Sequence, residues 1–301
     1  VPFHFVPARW TFLERVLRGL SSLDVESVRV VVDSNTGDVA DLARGLSLPG
    51  PCTVTVQVHP ALAHPYDLTW AHRRNMGDSL DAFDYFLYVE DDILVPPETF
   101  AAWRRRADAV DRAGFVHGFL RVEQDAAGRA VASDWRRPLR DPAGLRIDGT
   151  TYVRPEAFYQ ACWAYSRHTM RRFVRTRAWT RGFHRWSSVT RAHRRLQGGN
   201  YVREFSAFGM SCARPGRART LLPLGEDGQV ARDAWVWHLP NNYADRQDVR
   251  LLSAGELVLG EPRRPSPVAD TLLEGARWAS HLLYLGDAAR AARAWARRRR
   301  R

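Results

Sequence analysis

The chain has 301 residues, 45% apolar and 26% charged, with a formal charge of +12. These proportions exclude a disordered chain, a collagen-like chain and a coiled coil, and the length suits one large domain or two small ones. No apolar run reaches the roughly 18 residues that a membrane-spanning helix needs.

Taken in chain order, residues 3–6 read as a short strand and 10–20 as an amphipathic helix. Residues 28–32 form a strand ending at Asp33, 38–46 a helix, and 53–58 a strand in which Val54, Val56 and Val58 alternate. Helical spacing covers 70–82. The continuous apolar run 85–89 predicts a strand covered on both faces. Pro96 and Pro97 open a helix at 98–113, and 115–120 is the next strand. Repeated strand–helix units predict an α/β, Rossmann-like domain with a mainly parallel sheet and helices on both faces.

The second half is less regular. Loop signals fill 134–148, a strand is expected at 162–165 and a helix at 168–176. Gly198-Gly199-Asn200 is a turn, and 234–238 is a strand closing the core. Residues 261–267 (EPRRPSP) form a linker by their proline content. Beyond it Leu272, Ala276, Ala279 and Leu283 recur at helical spacing, and that helix ends in five consecutive Arg. Three segments follow: 1–145, 146–260 and 261–301. There is no internal repeat.

Every basic residue is Arg. Residues 171–195 hold nine Arg and no acid, and 287–301 hold seven Arg and one Asp, so the remainder of the chain is slightly acidic. A local surplus of this kind is what a contact surface requires. Arg interleaved with Phe173, Trp179, Phe183 and Trp186 suits an anionic polysaccharide, a phosphate-bearing lipid carrier or a membrane surface. The Arg-tailed terminal helix likewise fits peripheral attachment to anionic lipid. The opening residues lack the basic start and apolar stretch of a signal peptide, and Cys52, Cys162 and Cys212 fit neither a disulfide framework nor a zinc knuckle. A reducing, cytoplasmic setting, at most peripheral on the inner membrane face, is the expectation. The chain begins on Val1 rather than Met, as expected if residues precede it.

The most informative segment is Asp84-Tyr-Phe-Leu-Tyr-Val-Glu-Asp-Asp-Ile-Leu-Val-Pro-Pro97. An apolar strand runs directly into Glu90, Asp91 and Asp92. Adjacent carboxylates at the carboxyl end of a buried parallel strand repel one another, and burying them without a cation is costly. Ligands of open α/β sheets bind at that edge, and hard divalent cations bridge carboxylates to phosphate oxygens. A metal-plus-diphosphate site is the economical reading. An acidic helix start needs one such residue, not three.

This strand–EDD–apolar–Pro–helix run resembles the metal motif of GT-A fold glycosyltransferases, in the EDD variant of the N-acetylglucosaminyltransferase I type. The resemblance covers about residues 28–120 in architecture and 85–100 in motif. It implies a metal-dependent glycosyltransferase that moves a sugar from a nucleotide-diphosphate sugar to a glycan or lipid-linked acceptor. Segment 1–145 would bind the nucleotide-sugar donor and 146–260 the acceptor. Asp92 would ligate Mn²⁺ or Mg²⁺, with Glu90 and the catalytic Asp91 contacting donor sugar and ribose. Asp33 would bind the nucleoside, and Arg73, favoured over Arg74, would steady the diphosphate. His238, with Asn241, Asn242 and Tyr243 after it, would be the second metal ligand. Glu204 is the first candidate for the general base, with Asp233 and Glu156 as alternatives.

Two rival readings remain. A nucleotidyltransferase or metal phosphoesterase would use a similar scaffold, although residues 7–15 (PARWTFLER) lack the Gly-rich basic loop expected of the former. A nucleic-acid binder would use the Arg stretches and leave the acidic triplet unexplained.

Overall fold

The computed structural model describes residues 1–135, 138–155, 161–176, 179–180, 206–207, 209–210, 220–244 and 251–262. The turn at 198–200, Cys212, Glu156, Glu204, most of the Arg-rich stretch and the C-terminal helix fall outside them.

Strand β1 (Pro2–Phe3) leads through a 3-10 turn at Pro7–Arg9 into helix α1 (Trp10–Ser21). Leu13, Val16, Leu17 and Leu20 recur on the buried face of α1, as the 3.6-residue period requires. Next come β2 (Val28–Ser34), α2 (Asp38–Arg44), β3 (Cys52–Val58), α3 (His72–Asp78) and β4 (Tyr85–Val89). Strand β5 (Ile93–Leu94) and helix α4 (Pro97–Arg112) follow the acidic turn. Pro at the first position of α4 costs no hydrogen bond, because that amide has no partner within a helix.

Further strands are β6 (Val116–His117), β7 (Leu120–Gln124), β8 (Ala130–Ala132), β9 (Leu139–Arg140), β10 (Leu145–Ile147), β11 (Thr150–Val153) and β12 (Cys162–Ser166). After α5 (Arg167–Val174) come β13 (Thr220–Pro223), β14 (Trp235–His238), β15 (Leu252–Ser253) and β16 (Val258–Leu259).

The architecture is mixed α/β, but the single, mainly parallel sheet expected from the strand–helix units is not what forms. The described strands make five sheets, mostly small, with parallel and antiparallel pairs mixed. In the first half, β1-β2-β3 is parallel, while β4 pairs only with β12, antiparallel and in register from Tyr85↔Ser166 to Val89↔Cys162. In the second half a five-stranded sheet runs β15-β8-β7-β14-β5.

Other departures have local causes. The helix expected over 70–82 is a 3-10 turn at Pro65–Trp70 and then α3. Gly77, Asp78 and Ser79 are poor helix formers, and α3 stops there. The strand expected at 115–120 is divided into β6 and β7 around Gly118. The segment 134–148, read as loop, contributes β9 and β10; these two- and three-residue strands exist through their pairing with β16 and β11.

Among the described residues, three larger clusters of buried side chains and a small one of Val110, Tyr152 and Leu221 hold these layers. One joins α1 and α4 to β2 and to Val89 of β4. A second lies between Leu120 and Val122 of β7, Ala132 and the 254–258 segment. The third is aromatic: Tyr88 stacks on Trp163 and Trp163 on Tyr165, at centroid separations of 5.6 and 4.6 Å. No helix among the described residues is long and apolar enough to cross a membrane. Cys52 and Cys162 are free thiols.

His117 on β6 is buried, its Nδ1–H donating to the Gly118 carbonyl at 3.0 Å. Burial, and then the nearby Arg106 guanidinium, holds its pKa down at about 3. The unfolded chain takes up a proton here near pH 6.5 and the folded chain does not, so stability is lost as pH falls below about 6.5. At pH 5 the loss from this residue is about 2 kcal/mol relative to pH 7. Denaturant titrations at the two pH values should show it, and His117→Gln should flatten the acid limb. An acid limb equally steep in the variant would contradict this.

Candidate active site

The acidic triplet lies where β4 ends. Glu90 N–H donates to the Ala161 carbonyl at 3.1 Å, tying the turn to β12, and Ile93 N–H donates back to the Glu90 carbonyl at 3.1 Å. The triplet then divides. Glu90 is half-buried and accepts from the Tyr88 hydroxyl at 3.4 Å, on the side of the aromatic cluster. Asp91 and Asp92 are buried and converge on Arg9. The Arg9 Nε–H donates to Asp91 Oδ2 at 2.9 Å, and its Nη2 lies 2.7 Å from Asp91 Oδ2 and 2.8 Å from Asp92 Oδ2. Sequence reasoning expected a cation between buried carboxylates; the cation present is a guanidinium it had not singled out. The 3-10 turn after β1 carries Arg9 to the carboxyl end of β4, and Arg9 N–H closes that turn on the Val6 carbonyl at 2.9 Å.

His238 reaches the same point from 146 residues away. Strand β14 lies between β7 and β5, and its register sets His238 opposite Ile93. Leu239 N–H donates to the Asp92 carbonyl at 2.9 Å, which pins the end of β14 beside the acidic turn. The His238 Nε2 atom is 3.5 Å from Asp92 Oδ2. On its other side the ring is bonded through Nδ1 to Glu123 Oε1. Glu123, on β7, is 0% exposed, and its Oε2 accepts from the amides of Tyr243 and Ala244 at 2.9 and 2.6 Å. Tyr243 stacks over the His238 ring at 5.5 Å, and Asn241 Oδ1 accepts from the Gln124 amide. Glu123 was missed in the sequence. It sits in an ordinary strand, Leu-Arg-Val-Glu-Gln, and only the register of β7 with β14 places it against His238.

These contacts set the protonation balance. Burial, then the neighbouring Asp92 charge, raises the Asp91 carboxyl to about 7 against the pull of Arg9. Burial also pushes Asp92 upward, but hydrogen bonds and charge from His238 and Arg9 outweigh it and hold Asp92 below the ordinary carboxylate range. His238 is raised: burial lowers it, and the carboxylates of Asp92 and Glu123 more than offset that.

The other expected site residues are placed as follows. Asp33 is buried at the end of β2, its Oδ1 bonded to His59 Nε2 at 2.9 Å. Burial raises its pKa, and His59 opposes the rise. Arg73 points inward and Arg74 outward. The Arg73 guanidinium is enclosed by the rings of Trp70, Trp179 and Phe173 at 4.5, 4.7 and 5.0 Å, and its Nε–H donates to Ser206 Oγ at 3.1 Å. Asp233 lies before the start of β14, at the opposite end from His238. Both its oxygens accept from Arg106, at 2.7 and 2.8 Å.

Among the described residues no group of three or more His, Cys, Asp and Glu stands ready as a metal cage. The donor types at the turn nonetheless fit a hard divalent ion: two carboxylates and an imidazole. Among the described residues Asp92 Oδ1 is buried and has no hydrogen-bond partner, and a carboxylate on the far ring nitrogen is the usual support of a ligating His. The positive charge that meets both carboxylates here is the Arg9 guanidinium. No known family model matches the chain, and no curated protein does either.

If the turn takes up Mn²⁺ and Glu123 fixes the ring so that Nε2 faces Asp92, Glu123→Gln should weaken that binding about 10- to 100-fold. Calorimetric titration with Mn²⁺ alone measures this without reference to turnover. Unchanged affinity would show that the carboxylate is only a packing element.

Proposed function

We propose that this chain is a metal-dependent glycosyltransferase of the GT-A type, moving a sugar from a nucleotide-diphosphate sugar to a glycan or lipid-linked acceptor. The observation that carries the reading is the meeting of Asp92, at the carboxyl end of β4, with His238, at the end of β14. The Asp92 Oδ1 atom, buried and unpartnered among the described residues, and the Glu123-oriented imidazole face the same turn. The strand–helix units before β4 and the EDD sequence are the further supports.

In this reading Asp92 and His238 hold Mn²⁺ or Mg²⁺, with Asp91 beside them. When bound, the ion stabilises negative charge on the departing nucleoside diphosphate. The chain's own residues do the rest. Glu123 keeps Nδ1 protonated and leaves the Nε2 lone pair free to ligate. Arg9 supplies a fixed positive charge at the carboxyl edge, suited by its planar fork to oxyanions. Glu204, on sequence grounds, is the proposed base that takes the proton of the attacking acceptor hydroxyl. The Arg-rich segments are the proposed surface for an anionic acceptor or membrane.

A thermal-shift panel of nucleotide-sugars, with and without Mn²⁺, tests the proposal, because a ligand of the folded state raises the melting point. One donor should stabilise the chain only when metal is present, and incubation with that donor should release its nucleoside diphosphate. Release of a nucleoside monophosphate or of inorganic phosphate would favour the nucleotidyltransferase or phosphoesterase reading. No response to any donor, with salt-sensitive DNA binding, would overturn the proposal.

A further inference from the structure

Ser206, Ala207, Gly209 and Met210 lie across the aromatic cluster, although its strands are distant in sequence. Ser206 is 0% exposed and Ala207 is buried. The Trp163 indole N–H donates to the Ser206 carbonyl at 3.1 Å, and the Met210 amide donates to the Tyr165 hydroxyl oxygen at 2.7 Å. Gly209 has a φ of 54°, in the left-handed region, and a Cβ on it would run into the Tyr165 hydroxyl and the Trp163 ring. Beneath these residues Trp163 and Tyr165 of β12 stack with Tyr88 of β4, and Phe173 of α5 closes the stack edge-on.

Arg73 on α3 supplies another anchor. Its Nε–H bond to Ser206 Oγ meets the same residue whose carbonyl holds Trp163. The rings of Trp70, Trp179 and Phe173 stand around the guanidinium, and Arg73 is only 5% exposed. Phe173 and Trp179, read in the sequence with the Arg-rich stretch as a contact surface, turn onto Arg73 instead. Gripping a diphosphate requires a guanidinium fork open to the phosphate oxygens. Here Nε is bound to Ser206 and aromatic rings cover the group.

We infer that Arg73 is a positioning residue: it fastens Ser206, and with it Ala207, Gly209 and Met210, onto the aromatic stack, and it does not grip a diphosphate. The consequence for catalysis rests on the glycosyltransferase reading. Glu204, the proposed base, precedes Ser206 by two residues, a reach of at most about 7 Å. On the far side of Trp163, the Tyr88 hydroxyl meets Glu90 at 3.4 Å. Holding Ser206 therefore ties the chain that carries the base to the strand that carries the acidic turn. Positioning of this kind acts on the chemical step and leaves donor binding alone.

Full-length Arg73→Met, Ser206→Ala and the double variant test the inference. The reporters are hydrogen exchange of the Trp163 indole and of the Met210 amide. Both should exchange at least about tenfold faster in each single variant, while the amides of the β2–β3 ladder keep their rates. The double variant should be no faster than either single one, because both changes remove the same bond. Affinity for inorganic pyrophosphate with Mn²⁺, read by calorimetry, should stay within about twofold of the parent. With a donor that the parent transfers, Arg73→Met should lower kcat at least about tenfold and leave KM unchanged. Reporters that exchange at parental rates, or acceleration that includes the β2–β3 ladder, would overturn the inference. So would an affinity for pyrophosphate about tenfold lower in Arg73→Met, which would return this residue to the diphosphate. A parent that neither binds pyrophosphate with Mn²⁺ nor transfers sugar would count against the glycosyltransferase reading alone, and the exchange reporters would still decide whether Arg73 fastens Ser206.

Discussion

Asp92→Asn should cut the proposed metal-dependent transfer by on the order of 10²–10³-fold, or about 3–4 kcal/mol of transition-state stabilisation. The substitution keeps the side chain's volume and removes its charge from a point that His238, Arg9 and an ion would share. The Mn²⁺-dependent stabilisation by donor should vanish with it. Far-ultraviolet circular dichroism should be unchanged, because the backbone bond from Leu239 to the Asp92 carbonyl does not depend on the side chain. Full activity in the variant would remove Asp92 from the site.

The neighbouring Asp91→Asn should act oppositely on stability. The folded pKa of Asp91 lies near 7, above its unfolded value, so its contribution is greatest in acid and is lost as pH rises toward 7. Asn carries no such cost, and this variant should melt higher than the parent above pH 7 without metal. The lowered pKa of Asp92 means that its ionised form stabilises the fold, so Asp92→Asn should melt lower. Melting curves of both variants at pH 8 in a chelator decide this. The same sign for the two would contradict the asymmetry.

Arg9→Met is the second large effect. The guanidinium is shared by two buried carboxylates, and removing it leaves their charge uncompensated on that side. The Arg9 side chain is 37% exposed, so solvent screening limits the cost to roughly 1–3 kcal/mol in the metal-free protein. The same change should tighten Mn²⁺ binding by about tenfold, since the competing cation is gone. Calorimetry with Mn²⁺ in parent and variant reads this directly. Equal or weaker affinity in the variant would show that Arg9 and the ion do not share a place. Because stability should fall while affinity for the ion rises, a general loss of structure cannot mimic the result.

The acidic turn was legible because β4 is an uninterrupted apolar run, Tyr85–Val89, and its bounds follow from where the charges begin. The amphipathic α1 and the proline-led α4 were legible for similarly local reasons: period and capping are written in neighbouring residues. Arg9 was not, since it is one of 45 basic residues and nothing within five positions of it is acidic except Glu14. Glu123 lies in a short strand whose meaning depends on a partner more than 110 residues later. Arg73, which the sequence only favoured over Arg74, is the buried one of the two, and two of its three aromatic neighbours, Phe173 and Trp179, lie about a hundred residues later.

By itself the sequence determined where strands and helices begin in the first half, and that three carboxylates stand where one of those strands ends. These follow from hydrophobic period and backbone chemistry, which act over a few residues. The tertiary structure alone decided which cation meets Asp91 and Asp92, and which carboxylate steers His238. Those outcomes depend on strand order and register, where one shifted pairing would carry a side chain to the other face of its sheet.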